Sequence, residues 1–312
     1  MNERPERLRL MLTYSNLFYT PVYAAVAGGF LYRHGLDVMF GTVPADRSSV
    51  GMLKSGEVDI VQTGISRSLM DLDEGHEDSP LHIAEINQRD GFYLLSREPR
   101  LDWTWRDLEG ATLIPVGFTP VPWMSLKAAM VKNGVRPERV KLLPGLSAED
   151  AIALFLRGEA DYLHMVDPFA RGLAASGDGR IVAAIGDALG QICYSSFAAT
   201  PQFLEERAET AQKFVNGFYD AQRWAAQSAP DEIARRVEAF FPYIPRSVLT
   251  ESIEAYRERR TWSVTPIVDR SGYDAMRDLL IEGGLVRGKH PYERLVRAEF
   301  AERAISGTDT VR

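Results

Sequence analysis

Little in this 312-residue chain is arranged for covalent chemistry. It has no G-x-x-x-x-G-K-[ST] phosphate loop, no G-x-S-x-G elbow and no H-E-x-x-H. Gly64-Ile65-Ser66-Arg67-Ser68 begins like an elbow but lacks the closing glycine. His34, His76, His82, His164 and His290 show no metal-ligand spacing. His76 lies among Asp71, Asp73, Glu74, Glu77 and Asp78, but nearby charges are not converging ligands, so this reads as a solvated acidic loop. Cys193, the single cysteine, sits in an apolar run with nothing to lower its pKa; alone it excludes an internal disulfide or a cysteine metal cluster. No catalytic residue, metal or cofactor is therefore assigned.

What the chain offers instead is recognition chemistry at four apolar-run exits. These are Tyr14-Ser15-Asn16-Leu17-Phe18-Tyr19, Thr63-Gly64-Ile65-Ser66, Phe118-Thr119-Pro120-Val121-Pro122-Trp123 and Asp167-Pro168-Phe169. Aromatic walls with a few placed hydroxyls, an amide and a carboxylate suit a small-molecule pocket. Backbone N–H groups at the following helix starts add anion affinity. The ligand residues expected are Tyr14, Asn16, Phe18, Tyr19, Thr63, Ser66, Phe118, Trp123 and Asp167, with Arg89, in the turn Arg89-Asp90-Gly91, as a bidentate cation for an acidic ligand group. The aromatics stack, Asn16, Thr63 and Ser66 hydrogen-bond, and Asp167 accepts from ligand amines.

The elements that position these exits follow from periodicity. Short apolar runs (Leu8–Thr13, Leu36–Val43, Val58–Gln62, Ile83–Asn87, Phe92–Ser96) alternate with helical patterns such as Pro21–His34 and Ser48–Lys54. The alternation restarts with Leu113–Gly117, Trp123–Asn133, Val140–Leu143, Ala148–Arg157 and Asp161–Val166, followed by strands Ile181–Ile185 and Gln191–Ala199. After Thr200-Pro201 the chain is helix-rich, and Ser306–Arg312 reads as a loose tail. An α/β fold with open, largely parallel sheets follows, with ligands expected beyond the carboxyl ends of strands. Leu53-Lys54-Ser55-Gly56-Glu57-Val58-Asp59 is echoed by Leu156-Arg157-Gly158-Glu159-Ala160-Asp161, which points to two similar lobes.

Composition narrows the partners. The formal charge is −7, against the basic surface of a nucleic-acid binder. No run reaches the roughly 18 apolar residues of a membrane helix, so no direct membrane insertion is expected. The charged start Met1–Arg7 has no signal-like apolar stretch, so the sequence as given reads as cytoplasmic, or periplasmic or extracellular if a signal was trimmed.

Phe18-Tyr19-Thr20-Pro21-Val22-Tyr23-Ala24-Ala25-Val26-Ala27-Gly28-Gly29-Phe30 with His34-Gly35-Leu36-Asp37-Val38, then Leu53–Ile60, Trp105–Gly110, Gly158–Asp161 and Asp167-Pro168-Phe169, resembles the substrate-binding proteins of nitrate/sulfonate/taurine-type ABC importers. The resemblance includes their pyrimidine-precursor-binding (THI5-like/NMT1-like) branch and spans about residues 8–244. It implies a two-lobed type II periplasmic-binding-protein fold, with residues 1–96 plus 197–312 as lobe I and 97–196 as lobe II. Crossover strands near Leu94–Arg97 and Tyr194–Ala198 would form the hinge. It implies a solute-binding protein that closes on a small, planar aromatic or pyrimidine-like ligand and delivers it to an importer permease. The Cys-rich enzyme version of this fold does not carry over to a chain with one cysteine. The alternatives are a cytoplasmic lyase or decarboxylase with His164 or Asp167 as acid/base, and a ligand-sensing module.

Overall fold

The structure is a computed structural model, and it describes residues 4–99, 102–117 and 119–309. Two five-stranded sheets are built on one plan. The strands are β1 (Glu6–Leu12), β2 (Leu36–Thr42), β3 (Ile60–Thr63), β4 (Leu81–Asn87), β5 (Phe92–Ser96), β6 (Thr112–Ile114), β7 (Lys141–Leu142), β8 (Tyr162–Val166), β9 (Arg180–Ala184) and β10 (Ser195–Ala199). The first sheet runs β2-β1-β3-β10-β4 and the second β7-β6-β8-β5-β9. In each, four strands run one way and the strand fourth in order runs against them. That fourth strand, β10 or β5, is the one entered directly after the chain crosses between sheets.

The crossings correct two expectations. Ile83–Asn87 and Phe92–Ser96 flank the Arg89-Asp90-Gly91 turn, yet they belong to different sheets. The exchanges fall at residues 88–91 and 190–194, so β5 lies in the second sheet and Ser195-Ser196 in the first. A short apolar run reports that a strand exists, not which sheet receives it.

Glycines set other boundaries. The helix expected over Pro21–His34 is broken into Thr20–Ala27 and Phe30–Arg33, because Gly29 takes φ +67° and a Cβ on Gly28 would lie 2.3 Å from the Phe30 ring. The last helix continues through Asp309, past the expected start of a loose tail, and residues 310–312 lie outside the described residues.

The echoed motif has a physical basis. Gly56 and Gly158 both reverse the chain at φ +72° and +78°. The following carboxylates then each take a backbone N–H of the neighbouring parallel strand: Asp59 accepts from Arg9 N at 2.7 Å and Asp161 from Thr112 N at 2.9 Å. Asp59 is also held by the Arg9 guanidinium at 2.6 Å and by Arg207 at 3.3 Å.

The crossings are tied to each other. Ile192 N donates to Gln88 O at 2.9 Å and Tyr194 N to Asn87 O at 3.0 Å. The fully buried Asn87 side chain completes the knot: its Oδ1 accepts from the Ser195 hydroxyl, and its Nδ2 donates to the Phe18 carbonyl at 2.8 Å. Gly186 packs so closely on this region that a Cβ would lie 2.4 Å from the Asp90 carbonyl.

Asn87→Ala removes both side-chain bonds in a dry site, so it should cost about 2–4 kcal/mol. Urea denaturation checks this, and a loss below about 1 kcal/mol would remove the knot from the account.

Candidate functional site

The two sheets face each other across a cleft lined from both sides. The first lobe supplies Thr13, Tyr14, Asn16 and Tyr19 after β1, and Gln62, Gly64, Ser66 and Arg67 at the end of β3. The second supplies Phe92, Thr119, Val121 and Pro122, and Tyr194 enters from the second crossing. The free volume is about 50 Å³. All lining groups sit at strand exits, helix starts or crossings, as expected for an open α/β sheet.

Local bonds fix the polar groups. Thr13 N and its hydroxyl donate to the Gln62 carbonyl at 3.2 and 2.6 Å, and Gln62 Oε1 accepts from Thr13 N at 3.1 Å. Gln62 also bonds the Tyr19 hydroxyl, whose pKa burial drives upward. Asn16 caps the short turn Leu17–Tyr19 by accepting from Phe18 N at 3.0 Å. Gly64 leaves the start of the helix Ile65–Asp73 without a side-chain cap, and Ser66 and Arg67 stand in its first turn. Arg67 Nη2 donates to the Tyr14 hydroxyl at 3.1 Å, with the guanidinium 6.0 Å from the Tyr14 ring centre. Arg67 has no ion pair among the described residues and is the cleft's cation.

Four of the expected ligand residues therefore meet here: Tyr14, Asn16, Tyr19 and Ser66. The others do not. Phe18 is 1% exposed and packs edge-on against Tyr194 at 5.3 Å, so it backs the cleft rather than lining it. Thr63 is fully buried, its hydroxyl 3.5 Å from that of Ser49. Trp123 lines a separate surface pocket with Pro115, Gly117 and Pro144. Arg89 lies on an open surface beside Asp187 and Arg259. Phe118 lies outside the described residues.

Asp167 is fully buried and accepts from Arg171 N at 3.0 Å and Nε at 3.1 Å. Burial outweighs Arg171 and pushes its carboxyl up to about 6. It packs against Tyr256 of the first lobe, not into the cleft, so it has no free oxygen for a ligand amine. His164 is fully buried against Phe92, and burial holds it down to about 3. Cys193 is buried, with its thiol pKa pushed up. Residues of the acidic loop are held in ion pairs, Asp71 and Asp78 with Lys54 and Glu77 with Arg294.

A family model described as NMT1/THI5 like matches residues 16–233, about two thirds of the chain. The chain belongs to the NMT1/THI5-like family. This family member is 27% identical to YtlA of Bacillus subtilis (strain 168) over 293 residues, 93% of this chain and 87% of YtlA. Among solved structures, the periplasmic aliphatic sulphonate-binding protein SsuA from Escherichia coli has a TM-score of 0.75 at 18% identity, covering 93% of this chain and 97% of SsuA. The periplasmic nitrate-binding protein NrtA from Synechocystis PCC 6803 has a TM-score of 0.79 at 13% identity, covering 99% and 91%. The fold is the two-lobed periplasmic-binding-protein type.

Sequence reasoning missed Arg67, Gln62, Phe92 and Tyr194. The signal for Arg67 was present: it directly follows Ser66, and the first-turn residues of a helix opening at a strand exit share one end of the sheet. Phe92 and Tyr194 reach the cleft only because the crossings do.

A second polar cluster sits behind the cleft. Asp90 is fully buried in the first crossing, its Oδ1 accepting from Phe92 N at 2.7 Å. Its Oδ2 and the Tyr194 and Ser125 hydroxyls lie together without a well-formed hydrogen bond. Burial pushes the Asp90 carboxyl up to about 7 from 3.8. Its protonated form thus favours folding at low pH, and that contribution is lost as pH rises from the unfolded value to the folded one. Asp90→Asn mimics the protonated form, so its melting temperature relative to the parent should rise between about pH 4 and about pH 8. An unchanged difference across that range would contradict the burial argument.

Proposed function

We propose that this chain is the solute-binding component of an ABC importer, and that its cleft takes a small organic anion whose charged group meets Arg67. The observation that carries this is the cleft itself, where one guanidinium without a carboxylate partner among the described residues stands beside Ser66 and the uncapped start of the helix Ile65–Asp73. A cation at a helix start favours an anion, while Tyr14, Tyr19 and Tyr194 supply apolar walls with hydroxyl edges. The relatives named for sulphonate and nitrate binding support the same class of ligand.

Volume refines the expectation of a planar ring. About 50 Å³ is free, whereas a cavity that binds benzene has about 150 Å³. The cleft as it stands favours a compact anion, and a ring enters only if the lobes part further about the crossings. Capture by hinge closure suits such a site. The acid/base candidates of the enzyme reading are poorly placed, because Asp167 is occupied by Arg171 and His164 is enclosed. Delivery to a permease places the action outside the cytoplasmic membrane. Among the described residues no helix is long and apolar enough to cross one.

Calorimetry with nitrate, methanesulfonate, taurine and acetate, and with uncharged dimethyl sulfone as control, tests this reading. An anion should bind, and Arg67→Ala should weaken it at least about tenfold, the loss of one charge-assisted hydrogen bond. Equal affinity in Arg67→Ala, or tighter binding of the uncharged control, would overturn it.

A further inference from the structure

A second and larger pocket lies on the outer face of the first lobe, behind the first crossing. Its free volume is about 410 Å³, within the roughly 300–1,000 Å³ of small-molecule sites. The floor is Trp262, 6% exposed. Its indole Nε1 donates to the Phe18 carbonyl at 3.0 Å and its ring packs on Tyr256 at 5.8 Å, so it is a fixed floor. Ala225, Ala226 and Val264 give apolar walls, and Val264 is 60% exposed.

The charge at this pocket has one sign. Arg257 and Arg260 line it, and no Asp or Glu does, in a chain of net charge −7. Neither arginine forms an ion pair among the described residues, although Arg257 donates to the Ser228 carbonyl. Arg260 takes φ +51° where the helix Arg246–Glu258 ends and Thr261 N closes back on Tyr256 O at 2.9 Å. Its carbonyl accepts from Gln88 Nε2 at 3.0 Å, so this helix end is tied to the first crossing.

We propose that this pocket is a second binding site, for a small molecule pairing an anionic group with an aromatic or apolar body. The anion meets Arg257 and Arg260, and the body lies on Trp262. The site is separate from the cleft, and Phe18 is the wall between them: its carbonyl is held from the Trp262 side, and its ring packs against the cleft residues Phe92 and Tyr194. The proposal does not depend on the cleft's ligand.

The probe is naphthalene-2-sulfonate, titrated by calorimetry into the full chain carrying Arg67→Ala, which disables the cleft cation. One saturable site is expected. Arg260→Ala in that background should weaken it about tenfold, and Ala226→Trp, which fills the pocket from an exposed position, should abolish it. Uncharged 2-naphthol should bind about tenfold more weakly than the sulfonate. Thermal melts matching the parent confirm that both variants fold. Absence of saturable binding at about 5 mM, equal affinity in Arg260→Ala and Ala226→Trp, or equal affinity for 2-naphthol would each overturn the proposal.

Discussion

The arrangement depends on one buried amide. Asn87 sits where β4 ends and the first crossing begins, and it bonds the start of β10 through Ser195 and the cleft-backing turn through Phe18. A dry carboxamide with unmet bonds is costly, so the two crossings and the β1 exit are fixed relative to one another or none is. Trp262 makes the same demand on Phe18 from the C-terminal region, joining sequence-distant segments at one carbonyl. This tie lets two similar sheets share one site: each receives its antiparallel strand from a crossing, and the crossings bring Phe92 and Tyr194 to the cleft.

Charge is organised locally. The net charge of −7 says nothing of a ligand when so many carboxylates are matched by arginine or lysine, as Asp59 is by Arg9 and Arg207. The acids near the crossings are different. Asp90, Asp167 and Glu85 are buried, and burial pushes them up to about 7, 6 and 8. Asp167 is met by Arg171, whereas Asp90 and Glu85 each keep one buried oxygen without a hydrogen bond, and none of the three lines the cleft, where Arg67 stands. The cleft therefore keeps a positive character inside an acidic protein.

Element types and most of their order were legible because each rests on local rules. The Asp59 and Asp161 motifs were visible as an echo because each carboxylate is needed by an adjacent strand. The cleft was half legible. Strand-exit reasoning reached Tyr14, Asn16, Tyr19 and Ser66, but residue type misled it at Asp167, whose oxygens are occupied by a partner four residues on. It misled at Phe18 and Trp123 as well, because an aromatic at an exit fits a wall or a core equally. Phe92–Ser96 was expected in the first lobe, since four residues joining two strands carry no record of a change of sheet. Crossing geometry is a tertiary property, and so are the residues it delivers.

The central claim is that an anion held at Arg67 draws the two lobes together about the crossings. The most direct measurement is the distance between fluorophores on Asp46→Cys and Glu149→Cys, exposed positions on the two lobes, with buried Cys193 left unlabelled. Saturation with the anion that calorimetry selects should shorten this distance, and the same concentration should leave it unchanged in the Arg67→Ala chain. An inter-lobe distance that stays the same while the anion binds would contradict the account.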